Sequence, residues 1–191
     1  MTYFLFTVVL LILSFVGQEF LPAIEWAYYS RLLLVHTVFY SVAVTVPYPV
    51  MLLLALLTGF VWDARYHIPV FPTGSTHSEL GFGLTILLFG LMGSLIQGVR
   101  PLFRRGRWEL PVLFIGICTL AGLVIQYLII SFHRGGLYLS VEMWFQMLMT
   151  SLFSMLAAPL ILIVLSRFAK KCGYRIRLEG ITRRFSYGDS L

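Results

Sequence analysis

Charge is what this chain has least of. Only 12% of its 191 residues are Asp, Glu, Lys or Arg, against 59% hydrophobic residues. A soluble globular chain carries about twice that share of charge. A water-soluble domain and a disordered chain are therefore both excluded. Cysteine is scarce too. Cys118 sits in an apolar run and Cys172 in a basic tail, with no disulfide framework and no CxxC zinc pattern. Catalytic signatures are missing: no phosphate-binding Walker loop, no HExxH and no G-x-S-x-G elbow. No internal repeat or low-complexity segment is visible.

What is present is oil in long stretches. Mean hydropathy is +0.90. Formal charge is absent from 1–18, 32–62, 80–99, 110–133 and 143–166. Four of these runs are close to one bilayer core in helical length. The run 32–62 is not, because as one helix it would reach about 46 Å. It contains Val46-Pro47-Tyr48-Pro49, and two prolines so close favour a helix start over a helix interior. The run therefore splits into a hairpin, with a single kinked helix and five spans as the alternative. The fold class expected is all-α: a polytopic membrane bundle of six transmembrane helices. Its spans fall at about 3–18, 26–46, 48–65, 80–99, 110–132 and 143–167, with Arg31 snorkelling from the second. Met1–Val16 has no basic flank or A-x-A site and reads as a retained first span. The bundle would occupy 1–172, and a basic cytoplasmic tail 173–191.

The net charge of +6 is a topology signal before it is a nucleic-acid signal. Arg100, Arg104, Arg105 and Arg107 lie between spans four and five. Arg167, Lys170, Lys171, Arg175, Arg177, Arg183 and Arg184 lie in or near the tail. Six spans put both groups, and both termini, on the cytoplasmic side. The tail would meet anionic lipid, at about 1 kcal/mol per base, or dock a cytoplasmic protein. Tyr174–Leu178 alternates as an added strand would.

Few polar residues remain as candidates for chemistry. The loop Ser75-Thr76-His77-Ser78-Glu79 has nucleophile and base side by side, which seldom gives a working triad, so it reads as a turn that caps the next helix. His67, His77, His133, Asp63, Glu79 and Glu142 share one end, at spacings that fit no metal-ligand pattern. His36, Gln97 and Gln126 lie within spans, where interhelical hydrogen bonding explains them. Asp63 closes Gly59-Phe60-Val61-Trp62-Asp63, and an acid so near the membrane needs a partner or water. Gly90 and Ser94 form a small-xxx-small pair. Trp26, Tyr28, Tyr29, Tyr48, Trp62, Tyr66, Trp108, Tyr138 and Trp144 mark span ends.

From 45 to 172 this layout resembles the rod shape-determining protein MreD family. The carriers are Leu56-Leu57-Thr58-Gly59-Phe60-Val61-Trp62-Asp63, a short loop bearing proline and glycine, and a helix opening at Leu80-Gly81. A basic break follows the fourth span, and Pro159 lies in the last span before the basic tail. Gly59 and Asp63 meet the G-x-x-x-D ending of that family, and Gly81 the small residue that opens its next helix. The resemblance implies a fold similar to the substrate-binding subunits of energy-coupling-factor vitamin transporters. It implies no enzymatic activity and no cofactor. The role would be that of an inner-membrane platform for cell elongation, with an MreC-like scaffold, an MreB-like filament and peptidoglycan synthases as partners. The partner-shaping residues would be Gly59, Asp63, Gly81, Gly90, Ser94 and Pro159, with Arg104, Arg105, Arg107, Lys170 and Lys171 facing the cytoplasm. The rival expectation is a substrate-capture subunit of a vitamin-type transporter, with His67, His77 and Glu79 as its polar groups.

Overall fold

A computed structural model describes residues 2–66, 81–101, 109–133, 136, 140–174 and 176. Among them the helices are α1 (Thr2–Phe20), α2 (Leu34–Thr45), α3 (Tyr48–Arg65), α4 (Leu84–Val99), α5 (Glu109–His133) and α6 (Val141–Lys171). The one β-type pairing described is a single bridge between Ile24 and Ser30. Four helices, α1, α3, α5 and α6, are long and apolar enough to cross a membrane. The chain is a helical membrane protein.

Its surface is as oily as its interior, where polar residues share space with a hydrophobic core. On α1 the buried residues are Tyr3, Thr7, Leu11, Ser14 and Gln18, a mostly polar stripe recurring every third or fourth position. The same helix exposes Leu5, Ile12, Leu13 and Phe20. Further round the bundle, Leu87, Leu156 and Leu160 are exposed while Thr85, Ser151 and Ser154 are buried. In water this arrangement would be an aggregation hazard. In lipid it is expected, because apolar side chains cost nothing outside and small residues let helices approach inside. Several buried hydroxyls are satisfied within their own helices: Ser14 donates to the Leu11 carbonyl, Ser41 to Thr37 and Thr119 to Ile115.

The centre of the bundle is α2. It touches all five other helices. Every residue from Val35 to Thr45 is buried. At 12 residues it is about 18 Å long, well short of a ~30 Å hydrocarbon core. The other helices enclose it, and neighbouring side chains satisfy the free backbone groups at both ends. At the entry, Gln18 of α1 accepts from the Leu34 amide at 2.7 Å and donates to the Leu32 carbonyl at 3.0 Å.

The second span differs from expectation at its start. A helix over 26–46 was expected, and α2 begins only at Leu34. Residues 21–33 instead make a compact turn with one 3-10 turn at Glu25–Ala27. Tyr28 and Tyr29 both take left-handed backbone angles, φ 55°, which no helix continues through. Arg31 is exposed in this turn rather than snorkelling from a helix. The break at Pro47 falls where the prolines place it: α2 ends at Thr45, Pro47 caps α3, and Pro49 occupies its first turn.

At the other end of the molecule the first and last described segments meet. The rings of Tyr3 and Tyr174 stack at 4.4 Å, and those of Phe6 and Phe168 at 3.7 Å. The α6 helix, at 31 residues, is about 46 Å long and outreaches the hydrocarbon core. It carries Pro159 in its interior, where the missing amide leaves the Met155 carbonyl without its intrahelical donor.

Candidate functional site

Two polar constellations stand at opposite ends of α3 and α4. The first is built by the Gly59–Asp63 ending of α3. Gly59 is buried against α4, and a Cβ there would lie 2.5 Å from the Ile86 Cα. Only glycine permits that approach. One turn later, the Asp63 carboxylate accepts from the Gly83 amide at 2.8 Å. Gly83 stands at the N-cap of α4 with φ 98°, a left-handed value that favours glycine. Gly83 has no side chain, so Asp63 supplies the cap from the neighbouring helix, with its negative charge at the positive end of the α4 dipole. The carboxylate that composition flags as costly is half-buried and has this partner.

Beside it, Glu19 at the end of α1 accepts from Arg65 Nε at 3.1 Å and from the Tyr66 hydroxyl at 2.9 Å. Both ions are substantially exposed, 62% for Arg65 and 44% for Glu19, so the pair fixes geometry more than it stabilises. Burial, followed by the hydrogen bond to Glu19, raises the Tyr66 phenol above its usual value. The phenol thus remains a donor.

The second constellation closes the far end of α2. Gln97 donates from Nε2 to the carbonyls of Ala43 at 2.7 Å and Val46 at 2.8 Å. Arg100 donates from Nε to Val44 at 2.7 Å, and the Tyr174 hydroxyl reaches Thr45 at 3.4 Å. Four successive carbonyls thus find donors from α4 and from the segment after α6. Arg100 is 3% exposed. Counted with the loop bases in the sequence, it is a buried cation set against the negative end of the α2 dipole. The signal for it was its place one helical turn beyond Gln97, which puts both on one face.

The remaining sequence candidates are dispersed. Gly81 is exposed, and a Cβ there would meet nothing. Gly90 likewise has open space around it, while Ser94 is half-buried, donates to the Gly90 carbonyl and lies 3.3 Å from the Tyr48 hydroxyl. The close helix contacts fall at other glycines. A Cβ on Gly93 would strike Met51 Sδ at 2.5 Å, and Gly116 lies against Met155 and Ser151, whose hydroxyl bonds the Gly116 carbonyl. Lys170 and Lys171 are exposed on the last turn of α6. His36 is enclosed by aromatic rings, with Trp62 at 4.6 Å and Phe89 at 4.7 Å. Arg104, Arg105 and Arg107, the loop with His67, His77 and Glu79, and most of the tail lie outside the described residues. Among the described residues, no three of His, Cys, Asp and Glu come together as a metal site would need. Chemically, the two constellations are capping devices that lock helices in register, and neither pairs a nucleophile with a base. Comparison with protein-family models, curated proteins and solved structures finds no match to this chain.

Proposed function

We propose that this chain is a noncatalytic inner-membrane component of the bacterial cell-elongation machinery, an MreD-like platform that holds an MreC-like scaffold. The observation that carries the reading is the convergence of Gly59 and Asp63 on one junction. Of the residues that bear the family resemblance, Gly59 and Asp63 clamp α3 to α4, through Ile86 and through the Gly83 amide. A platform needs such rigidity, because its partners read a fixed surface. Peptidoglycan synthases and an MreB-like filament would join through the scaffold or through the basic cytoplasmic end.

The stacking of Tyr3 on Tyr174 supports an even number of crossings with both termini on one side. With Lys170 and Lys171 at the same end, that side would be the cytoplasm by the basic-residue rule. Six crossings would include the short helices α2 and α4, carried within the bundle. The likeness to energy-coupling-factor substrate-binding subunits belongs to this reading as well. Depletion of the protein in its host, with cell shape followed by microscopy, tests the role. Rod-to-sphere conversion, with recovery of an elongation component in a mild-detergent pull-down, is the expected result. A nutrient requirement with unchanged shape would overturn it in favour of transport.

A further inference from the structure

The helices α1 and α3 run side by side on α2 with little direct contact. Between them lies an open apolar groove of about 320 Å³, walled by Leu11, Ile12 and Phe15 of α1 and by Leu57, Thr58 and Val61 of α3. It continues past Phe15, Val16 and Val61 into a second hollow of about 310 Å³ that ends at Glu19 and Arg65. From Val8 to Glu19 the track is about 16 Å long. One end is thus ionic and near a membrane surface, and the other is oily and near mid-bilayer. That is the polarity of a phospholipid.

The dimensions and lining favour a hydrocarbon tail over a protein helix. A helix of ~10 Å diameter displaces roughly 120 Å³ per residue, so the groove would seat only a few residues of one. Close helix docking also uses Gly, Ala and Ser. The walls here are Val, Leu, Ile and Phe, with Thr58 buried at the floor.

The ionic end narrows the headgroup. Glu19 Oε1 takes both the Arg65 Nε bond and the Tyr66 bond. Among the described residues, the two terminal nitrogens of Arg65 and the second oxygen of Glu19 are left for an outside group. A guanidinium fork suits a phosphate, and a carboxylate suits an ammonium. The pair sums to zero charge, which matches a zwitterion and not an anionic lipid.

We propose that the α1–α3 groove is a binding site for one phosphatidylethanolamine. Its acyl tail would lie between Ile12 and Val61, its phosphate on Arg65 and its ammonium on Glu19. The inference needs the chain to sit in a bilayer, and it is independent of the platform role. Native mass spectrometry of the delipidated full chain, titrated with phosphatidylethanolamine, phosphatidylglycerol or diacylglycerol, tests it. One phosphatidylethanolamine should be retained per chain, with the other two held about tenfold more weakly. Arg65→Ala should reduce that preference to the diacylglycerol level. Val61→Trp and Ile12→Trp fill the groove from opposite walls at exposed positions and should each abolish retention of all three lipids. Circular dichroism and thermal melting would confirm that each variant is folded. Absence of retained lipid on the wild-type chain, equal retention of the three lipids, or unchanged retention in both folded tryptophan variants would overturn the proposal.

Discussion

Arg100 donates from Nη1 to Gln97 Oε1 at 2.8 Å, and this one bond fixes which way the Gln97 amide points. With its oxygen held by Arg100, the Gln97 nitrogen must face α2, where it meets the Ala43 and Val46 carbonyls. Each residue therefore positions the other as well as capping the helix itself.

Loss of Gln97 should be costly. Gln97→Leu keeps the bulk and removes both donors, leaving two carbonyls unpaired in a water-free interior. Unfolding of the detergent-solubilised protein should show a loss of about 2–4 kcal/mol, several times the ~0.6 kcal/mol of an average intramembrane hydrogen bond. Gln97→Glu should be worse, since it sets an acceptor against two acceptors. Wild-type stability in either variant would mean that the α2 carbonyls find donors elsewhere.

Glycines of one chain should respond in opposite ways. Gly59→Ala pushes a methyl group into the Ile86 backbone and should destabilise by about 1–3 kcal/mol, lowering the melting temperature. Gly90→Ala meets open space and should be neutral, or stabilising by up to ~1 kcal/mol through helix propensity.

The Asp63 cap predicts a local signature. Asp63→Ala should cost about 1 kcal/mol and speed hydrogen exchange at the Gly83 amide. Asp63→Asn retains an acceptor and should fall between the two. Unaltered exchange at Gly83 in the alanine variant would refute the cap.

Cysteine accessibility reads the topology. Cys118 is buried on α5 and should resist maleimide until the protein is denatured. Cys172 is half-buried at the end of α6. In intact cells it should react with a membrane-impermeant maleimide only after permeabilisation. Labelling without permeabilisation would put the C-terminal end outside.

Much of the fold was legible in the sequence because punctuation residues are local. Pro47 and Pro49 divide the longest apolar run where α2 gives way to α3. The Gly59–Asp63 ending was legible as a pair to single out, whereas its contacts with Ile86 and the Gly83 amide on α4 were not. What stayed hidden depends on neighbours distant in sequence. The late start of α2 rests on Gln18, sixteen residues upstream of the Leu34 amide it accepts from. The burial of Arg100 rests on carbonyls more than fifty positions away. Hydropathy scores Arg100 as a loop base because it sees the charge and not the helix end that the charge meets. Glycine spacing failed in a similar way. Gly90 and Ser94 have the right interval, but the helix faces its tight contacts with Gly93, three positions round from Gly90.

The shortness of α2 constrains how the protein is made. A dozen residues cannot hold a stable place in the membrane alone, and both tips of this helix depend on side chains borrowed from α1 and α4. Its socket is complete only when α6, which packs along it, has been synthesised. Biogenesis should therefore pass through a stage in which the second helix waits, and nascent chains stalled before residue 141 should be prime substrates for membrane proteases.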